Sequence, residues 1–569
     1  MGIRESIKAA KGQIAPDLIL KGGRIVNVFS QEIYETDIAI KGQYIVGLGS
    51  YEGAEIISLD GAFVCPGLID GHLHVESAMI TIPEFTRAVL PRGTTALVID
   101  PHEIANVMGL EGINYMLKSS KYNPMDVYIM LPSCVPATKM ETAGADLRAI
   151  DLLPLLNNRW VLGLGEMMNY PGLLNCEDDV IEKLKICQDK IIDGHAPGLT
   201  GHDLCAYVCT GIRSDHECIN EAEAREKMRL GMHIMMREGS SSKNLLDLLP
   251  LVNAGNSARF SFVSDDRNPR DLLHQGHMDH VIRLAVRHGI DPVTAIRMAT
   301  INTAQYFKLS DLGAVAPGYR ADLAIVDSLE EFQVRMVVKN GQVVVRNGEM
   351  LVEPTHRAPI KIRGSVNIKW LSENDFRIPA RGRHCRVIQM IPNQINTRAV
   401  ILAPPISDGY VTADPAADLL KLAVVERHMA STTVSMGLLK GLGLRSGAIA
   451  TTVSHDSHNM VVAGTNENDM FKAAVQLAKL QGGITYVENG TVIESLPLPI
   501  AGLISDQPLE FVVDKLSMLI EAVRTRGVHA DDPFMALSFL ALPVIPSLKL
   551  TDQGLIDVET FTPVDLFVD

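Results

Sequence analysis

The chain carries two hydrophobic rhythms. From residue 16 to about 65, "DLILKGGRIVNVF", "DIAIKGQYIVGLG" and "AEIISLDGAFV" alternate apolar and polar positions between Gly-containing turns, the period-two pattern of half-buried strands. The same texture returns at about 312–350 in "ADLAIVD" and "QVRMVVKNGQVVVRNGE". These stretches predict one small β-domain built from residues 1–65 and 310–355, the two flanks of a larger insert.

Inside the insert, eight apolar runs each end in a polar cluster: "GLIDGHLH" from 67, "TTALVIDPHE" from 94, "VYIMLPSCVP" from 127, "VLGLGEMMN" from 161, "KIIDGHAPG" from 190, "GIRSDHE" from 211, "MHIMMREGS" from 232 and "FSFVSDDR" from 260. Helical patterns follow most of them, among them 221–231, 242–255 and 269–289. Strand and helix alternating in this way predict an α/β fold, a (β/α)8 barrel over 66–309, in which chemistry gathers at the carboxyl ends of the strands. Residues 360–569 lose this rhythm and read as an additional C-terminal α+β domain, with "GAIATTVSHDSHNMVVAGTNENDMFKAAVQLAKLQGG" predicting strands followed by a helix.

A length of 569 residues suits about three domains. A net charge of −15 without a Lys/Arg-rich run argues against nucleic acid as a partner, and no stretch is long and apolar enough for a membrane span or a signal peptide. A cytoplasmic enzyme acting on a small molecule is expected, as a homo-oligomer of two or more subunits. The eight cysteines contain no Cys-x-x-Cys pair and are expected to be reduced core residues.

The polar clusters supply the candidate chemistry. His72 and His74 are spaced to share one face of a strand, and Glu166, His195, His216 and Asp265 fall at the ends of later strands. Six imidazole and carboxylate ligands match two divalent cations sharing a carboxylate better than one, and cations so placed make hydroxide from water at neutral pH. Taken singly, each residue has a structural alternative: Glu166 in a salt bridge, His195 in a turn, Asp265 as a helix cap.

"PGLIDGHLH", "GEMMN", "DGHAPG", "SDHE", "SDD" and the trailing "LGAVAPGYRADLAIVD" resemble the amidohydrolase superfamily. "DPHEIANVMG", "LPSCVPA", "GEMMNYPG", "REGSSSKNL", "SDDRNP", "TVSHDSHNMVV" and "LPLPIAGL" are similar to the bacterial-type adenine deaminases, nearly end to end. The resemblance implies conversion of adenine to hypoxanthine and ammonia, as in purine salvage, at a centre of two divalent metals, Mn2+ or Fe2+ ahead of Zn2+. By the same resemblance, His72 and His74 hold the first metal, Glu166 bridges, His195 and His216 hold the second, and Asp265 is the last ligand and proton shuttle.

A further acid must protonate the ring nitrogen. Glu238 is the first candidate and Glu103 the second, with an ion pair to Arg237 or Lys243 as the structural alternative for Glu238. His102 either supports a ligand or touches substrate. Asp100, Asp266, Ser240, His455 and His458 are the candidate substrate contacts, the last two on a loop expected to close the barrel mouth. A binuclear hydrolase of a cyclic amide or N-acyl substrate would use the same ligands, and a non-catalytic relic barrel would keep the fold alone.

Overall fold

In the computed structural model, which describes residues 2–568 apart from 54, 122, 355–363, 393 and 432, the predicted boundaries at 355 and 360 lie outside the described residues. Eight parallel strands follow the eight apolar runs: β1 Leu68–Leu73, β2 Thr94–Ile99, β3 Asp126–Leu131, β4 Val161–Met167, β5 Ile191–Gly194, β6 Ser214–Asp215, β7 His233–Arg237 and β8 Phe260–Val263. They pair as β5-β4-β3-β2-β1 and as β6-β7-β8. Two backbone seams close the ring. The Arg213 N–H donates to the Ile192 carbonyl at 3.3 Å, while the Asp265 N–H donates to His72 O at 3.0 Å and the His74 N–H to Asp265 O at 3.4 Å.

These strands are nearly continuous apolar runs because both faces are covered. Ile69, Ala96, Val98, Met130, Ile191, Met235 and Val263 fill the barrel interior as one buried cluster. The helix Glu221–Arg229 starts where the Asn220 side chain accepts the Glu223 N–H. Two expected helices are shorter than the periodicity suggests. Only Leu245–Leu248 and a 3-10 turn, Leu249–Leu251, form within 242–255, because Pro250 lacks the N–H that a continuing helix needs. The pattern over 269–289 divides into Pro269–His274 and Met278–Arg287 at Gly276, whose φ is +111°; a Cβ there would lie 2.6 Å from the Asp279 carboxylate.

A nine-stranded sheet joins both flanks of the barrel: Phe63–Pro66 runs antiparallel to Leu323–Val326 and parallel to Leu18–Asn27. The C-terminal part holds an eight-stranded sheet that includes Leu419–Val425, Ala448–Thr451 and Met460–Gly464. Leu419–Val425 is buried along its whole length, and alternation along it feeds two cores. Ala423 and Val425 meet Met470 and Leu477 of the helix Glu467–Leu480. Leu422 and Val424 join a core continuous with the barrel's Leu73, Ile99 and Ile104. All eight cysteines are free, but Cys176, Cys205 and Cys209 are exposed rather than core residues, two of them on the amphipathic helix Gly201–Cys209. Among the described residues no helix is long and apolar enough to cross a membrane.

Candidate active site

Each barrel strand delivers its polar cluster to one mouth. Glu166, on β4, is held by a close approach: its backbone N–H donates to Asp100 Oδ2 at 3.2 Å, and a Cβ on the neighbouring Gly165 would lie 2.0 Å from that same oxygen. Glycine is therefore required beside the carboxylate. The Asp100 carbonyl accepts from His74 Nδ1 at 2.9 Å, which fixes the His74 tautomer and leaves Nε2 bare toward the site.

The two oxygens of Glu166 face different imidazole pairs. Oε1 lies 3.8 Å from His72 Nε2 and 3.3 Å from His74 Nε2, while Oε2 lies 2.6 Å from His195 Nδ1 and 3.1 Å from His216 Nε2. Asp265 completes the first pair, with Oδ1 at 3.5 Å from His72 Nε2 and 3.4 Å from His74 Nε2. Its φ of +54° turns the carboxylate inward as β8 ends, a conformation that Asp tolerates better than most residues. His72 Nε2 is buried with no hydrogen-bond partner. A bare ring nitrogen among carboxylates fits a divalent cation, and the mixed imidazole and carboxylate donor set suits first-row transition metals.

Beside this centre stands a second cluster that unites the barrel and the C-terminal sheet. Glu103 opens the helix His102–Ser119, and one of its oxygens meets His455 Nδ1 at 2.5 Å while the other meets His458 Nε2. His102 bridges the clusters, with Nε2 at 3.3 Å from Glu103 Oε1 and Nδ1 at 3.4 Å from Glu166 Oε1. Burial opposes ionisation of Glu103, yet the charges of His455, His458 and His102 hold its carboxyl well below the usual carboxylate range. Burial also works against the His455 cation, but Glu103 outweighs it and raises His455 to about 9; for His458 burial wins and lowers it to about 4. One proton is thus held between His455 and Glu103.

Residues 63–344 match the model of the amidohydrolase family, and residues 394–562 match that of the adenine deaminase C-terminal domain. The chain is 48% identical over 563 residues to a protein named adenine deaminase 2 from Carboxydothermus hydrogenoformans, covering 99% of each. It is 46% identical to an adenine deaminase from Desulfatibacillum aliphaticivorans, again covering 99% of each. The chain belongs to the adenine deaminase family. Among solved structures, a β-aspartyl dipeptidase from Fervidobacterium islandicum is similar at a TM-score of 0.46 and 17% identity, covering 60% of this chain and 100% of that one.

The other sequence candidates of this family member fall into different surroundings. Glu238 accepts from Lys243 Nζ at 2.6 Å, the structural alternative the sequence left open, and Arg237 takes another course. Arg237 donates to Asp265 Oδ2 at 3.0 Å and clasps Glu217 through both terminal nitrogens. The Ser240 hydroxyl donates to Asp271 Oδ2 at 2.6 Å and accepts the Asn268 N–H at 2.9 Å, so its hydrogen bonds serve the start of the next helix. Asp266 receives the Ser77 hydroxyl.

Two residues escaped the sequence reading. Arg237 follows Met235 by two positions on β7, so alternation aims it into the barrel mouth, a signal that was available. Asp456 is buried next to His455, with Oδ2 unpartnered, and burial raises it to about 6. It lies between His455 and His458 on the loop expected at the barrel mouth, so its position was legible in sequence and its burial was not.

Proposed function

We propose that the chain hydrolyses adenine to hypoxanthine and ammonia. The observation that carries this reading is the pairing of a four-imidazole, two-carboxylate centre with a carboxylate, Glu103, clamped by histidines of the C-terminal sheet. The full-length likeness to proteins named adenine deaminase supplies the substrate.

His72, His74 and Asp265 would hold one divalent cation and His195 and His216 the other, with one Glu166 oxygen toward each. Mn2+ or Fe2+ is preferred to Zn2+. When bound, such a pair supplies Lewis acidity that makes water nucleophilic at neutral pH.

The chain's own groups manage the protons. Asp265, its Oδ2 anchored by Arg237, takes the proton released as water adds to the amino-bearing carbon, and passes it to the departing nitrogen. The ring nitrogen beside that carbon needs a proton of its own. The proton that His455 holds against the ionised Glu103 is the one this reading favours, relayed through Glu103, whereas Glu238 is engaged by Lys243. The carbon–nitrogen bond then breaks and the added hydroxyl gives its remaining proton back to the Glu103–His455 pair, so that adenine and water become hypoxanthine and ammonia. Asp456, buried beside His455 with Oδ2 unpartnered, is this reading's further hydrogen-bond partner for the purine.

Glu103→Gln should lower kcat by about 10²- to 10⁴-fold with unchanged metal content, while Glu238→Gln stays within a few-fold. Ammonia release from adenine, assayed against ring opening of hydantoin or dihydroorotate, tests the substrate class. A Glu103→Gln enzyme of normal turnover would remove Glu103 from the mechanism.

A further inference from the structure

The amino-terminal face of the barrel, opposite the metal centre, holds a cavity of about 540 Å³. It opens between the starts of β5, β7 and β8 and the segment preceding β6, roughly 13 to 17 Å from the catalytic mouth by the length of a four- or five-residue strand. Lys190, Arg213, Arg259 and Lys308 line it, and no Asp or Glu does. The chain as a whole has 67 acidic residues against 52 Lys and Arg. Even so, none of these four cations makes an ion pair among the described residues. The hydrogen bonds of Arg213 go to the Val208 and Ile212 carbonyls, that of Arg259 to Gly231 O, and that of Lys190 to Val161 O.

Two further features mark this as more than a basic patch. Asn302, only 2% exposed, lines the cavity and spends its Nδ2 on the Ser257 and Phe260 carbonyls, both at 2.8 Å. Its Oδ1 is buried with no donor, a costly condition that a ligand N–H or O–H would relieve. Beside it, the Tyr306 and His233 rings stack at 4.9 Å and give the wall a flat apolar face.

We infer that this cavity is a second binding site, distinct from the metal centre, for a phosphate monoester that also carries a hydroxyl or N–H donor, such as a sugar phosphate or nucleotide. Four unpaired cations exceed what a monocarboxylate balances, and arginine forks suit the oxygens of a phosphate. The volume lies in the ordinary range for small-molecule sites. Asn302 Oδ1 accounts for the donor, which inorganic phosphate presents less well than an ester with sugar hydroxyls.

Calorimetry of the full-length, metal-loaded protein at low ionic strength, with ribose 5-phosphate and inorganic phosphate as probes, tests the site. The expected result is saturable binding of one ribose 5-phosphate per chain, at least tenfold tighter than inorganic phosphate and weakened by salt. Arg213→Gln/Arg259→Gln and Lys190→Gln/Lys308→Gln should each weaken it by tenfold or more, with metal content unchanged. These residues lie on the surface, so both proteins should fold. No saturable heat at millimolar ribose 5-phosphate, or binding retained in both double variants, would overturn the site. Inorganic phosphate binding as tightly as the ester would overturn the choice of ligand.

Discussion

Replacing Arg427 should disable the enzyme without touching the metal centre. Its guanidinium is fully buried and, among the described residues, forms no ion pair. Nε donates to the His458 carbonyl, Nη1 to Ser365 O at 3.0 Å and Nη2 to Ala501 O at 3.1 Å, and Gly502 leaves the space it needs, since a Cβ there would lie 2.7 Å from Nη1. Arg427 is therefore the tie that holds the loop bearing His455 and His458 against Glu103. Arg427→Met keeps the bulk and strands three buried carbonyls at about 1 to 3 kcal/mol each. Part of that loss is offset, because a buried cation without a counter-charge is itself costly; burial brings the Arg427 pKa down to about 9. A net destabilisation of about 2 to 5 kcal/mol follows. Freed of its tie, the loop lets both imidazoles drift from Glu103, and a misplacement on the order of 1 Å costs roughly 10²-fold in turnover. Urea unfolding, metal analysis and adenine turnover on one preparation measure all three quantities. Stability within 1 kcal/mol of the unaltered protein, or turnover within threefold in a destabilised but folded variant, would refute the tie.

Chelation should abolish activity, and recovery should need about two metal equivalents per chain; full recovery at one equivalent would contradict a shared Glu166. Gly165→Ala places a methyl 2.0 Å from Asp100 Oδ2 and should displace Glu166, lowering metal affinity by about 10- to 100-fold in a competition titration. Lys549 is buried with its ammonium on the Ile395 and Phe539 carbonyls, and burial lowers its pKa from 10.5 to about 7. Between those values the unfolded chain binds the extra proton, so stability relative to Lys549→Met should rise with pH from about 7 toward 10, by up to about 1.4 kcal/mol per pH unit; a flat difference in urea titrations would contradict it.

The barrel and its ligands were legible in sequence because strand ends repeat a simple rule: an apolar run, then the residue that does chemistry. His72, Glu166, His216 and Asp265 each lie where a run stops, and two buried faces per strand make those runs conspicuous. Other features follow from contacts across the chain. Glu103 and His455 are 352 positions apart, and no periodicity links them. The pairing of Glu238 with Lys243 depends on a tight backbone turn, seen as an antiparallel bridge between those two residues. The break at Gly276 was hidden by amphipathic spacing that continues on both sides of it.

The sheet that joins both flanks has a consequence for synthesis. Phe63–Pro66 leaves the ribosome roughly 260 residues before its partner Leu323–Val326, which at about 5 to 20 residues per second is a wait of roughly 13 to 50 s. Throughout that interval one edge of the nascent sheet stays open, beside the segment that will supply His72 and His74. The faster the barrel is elongated, the shorter the time that this unpaired edge is open to another chain.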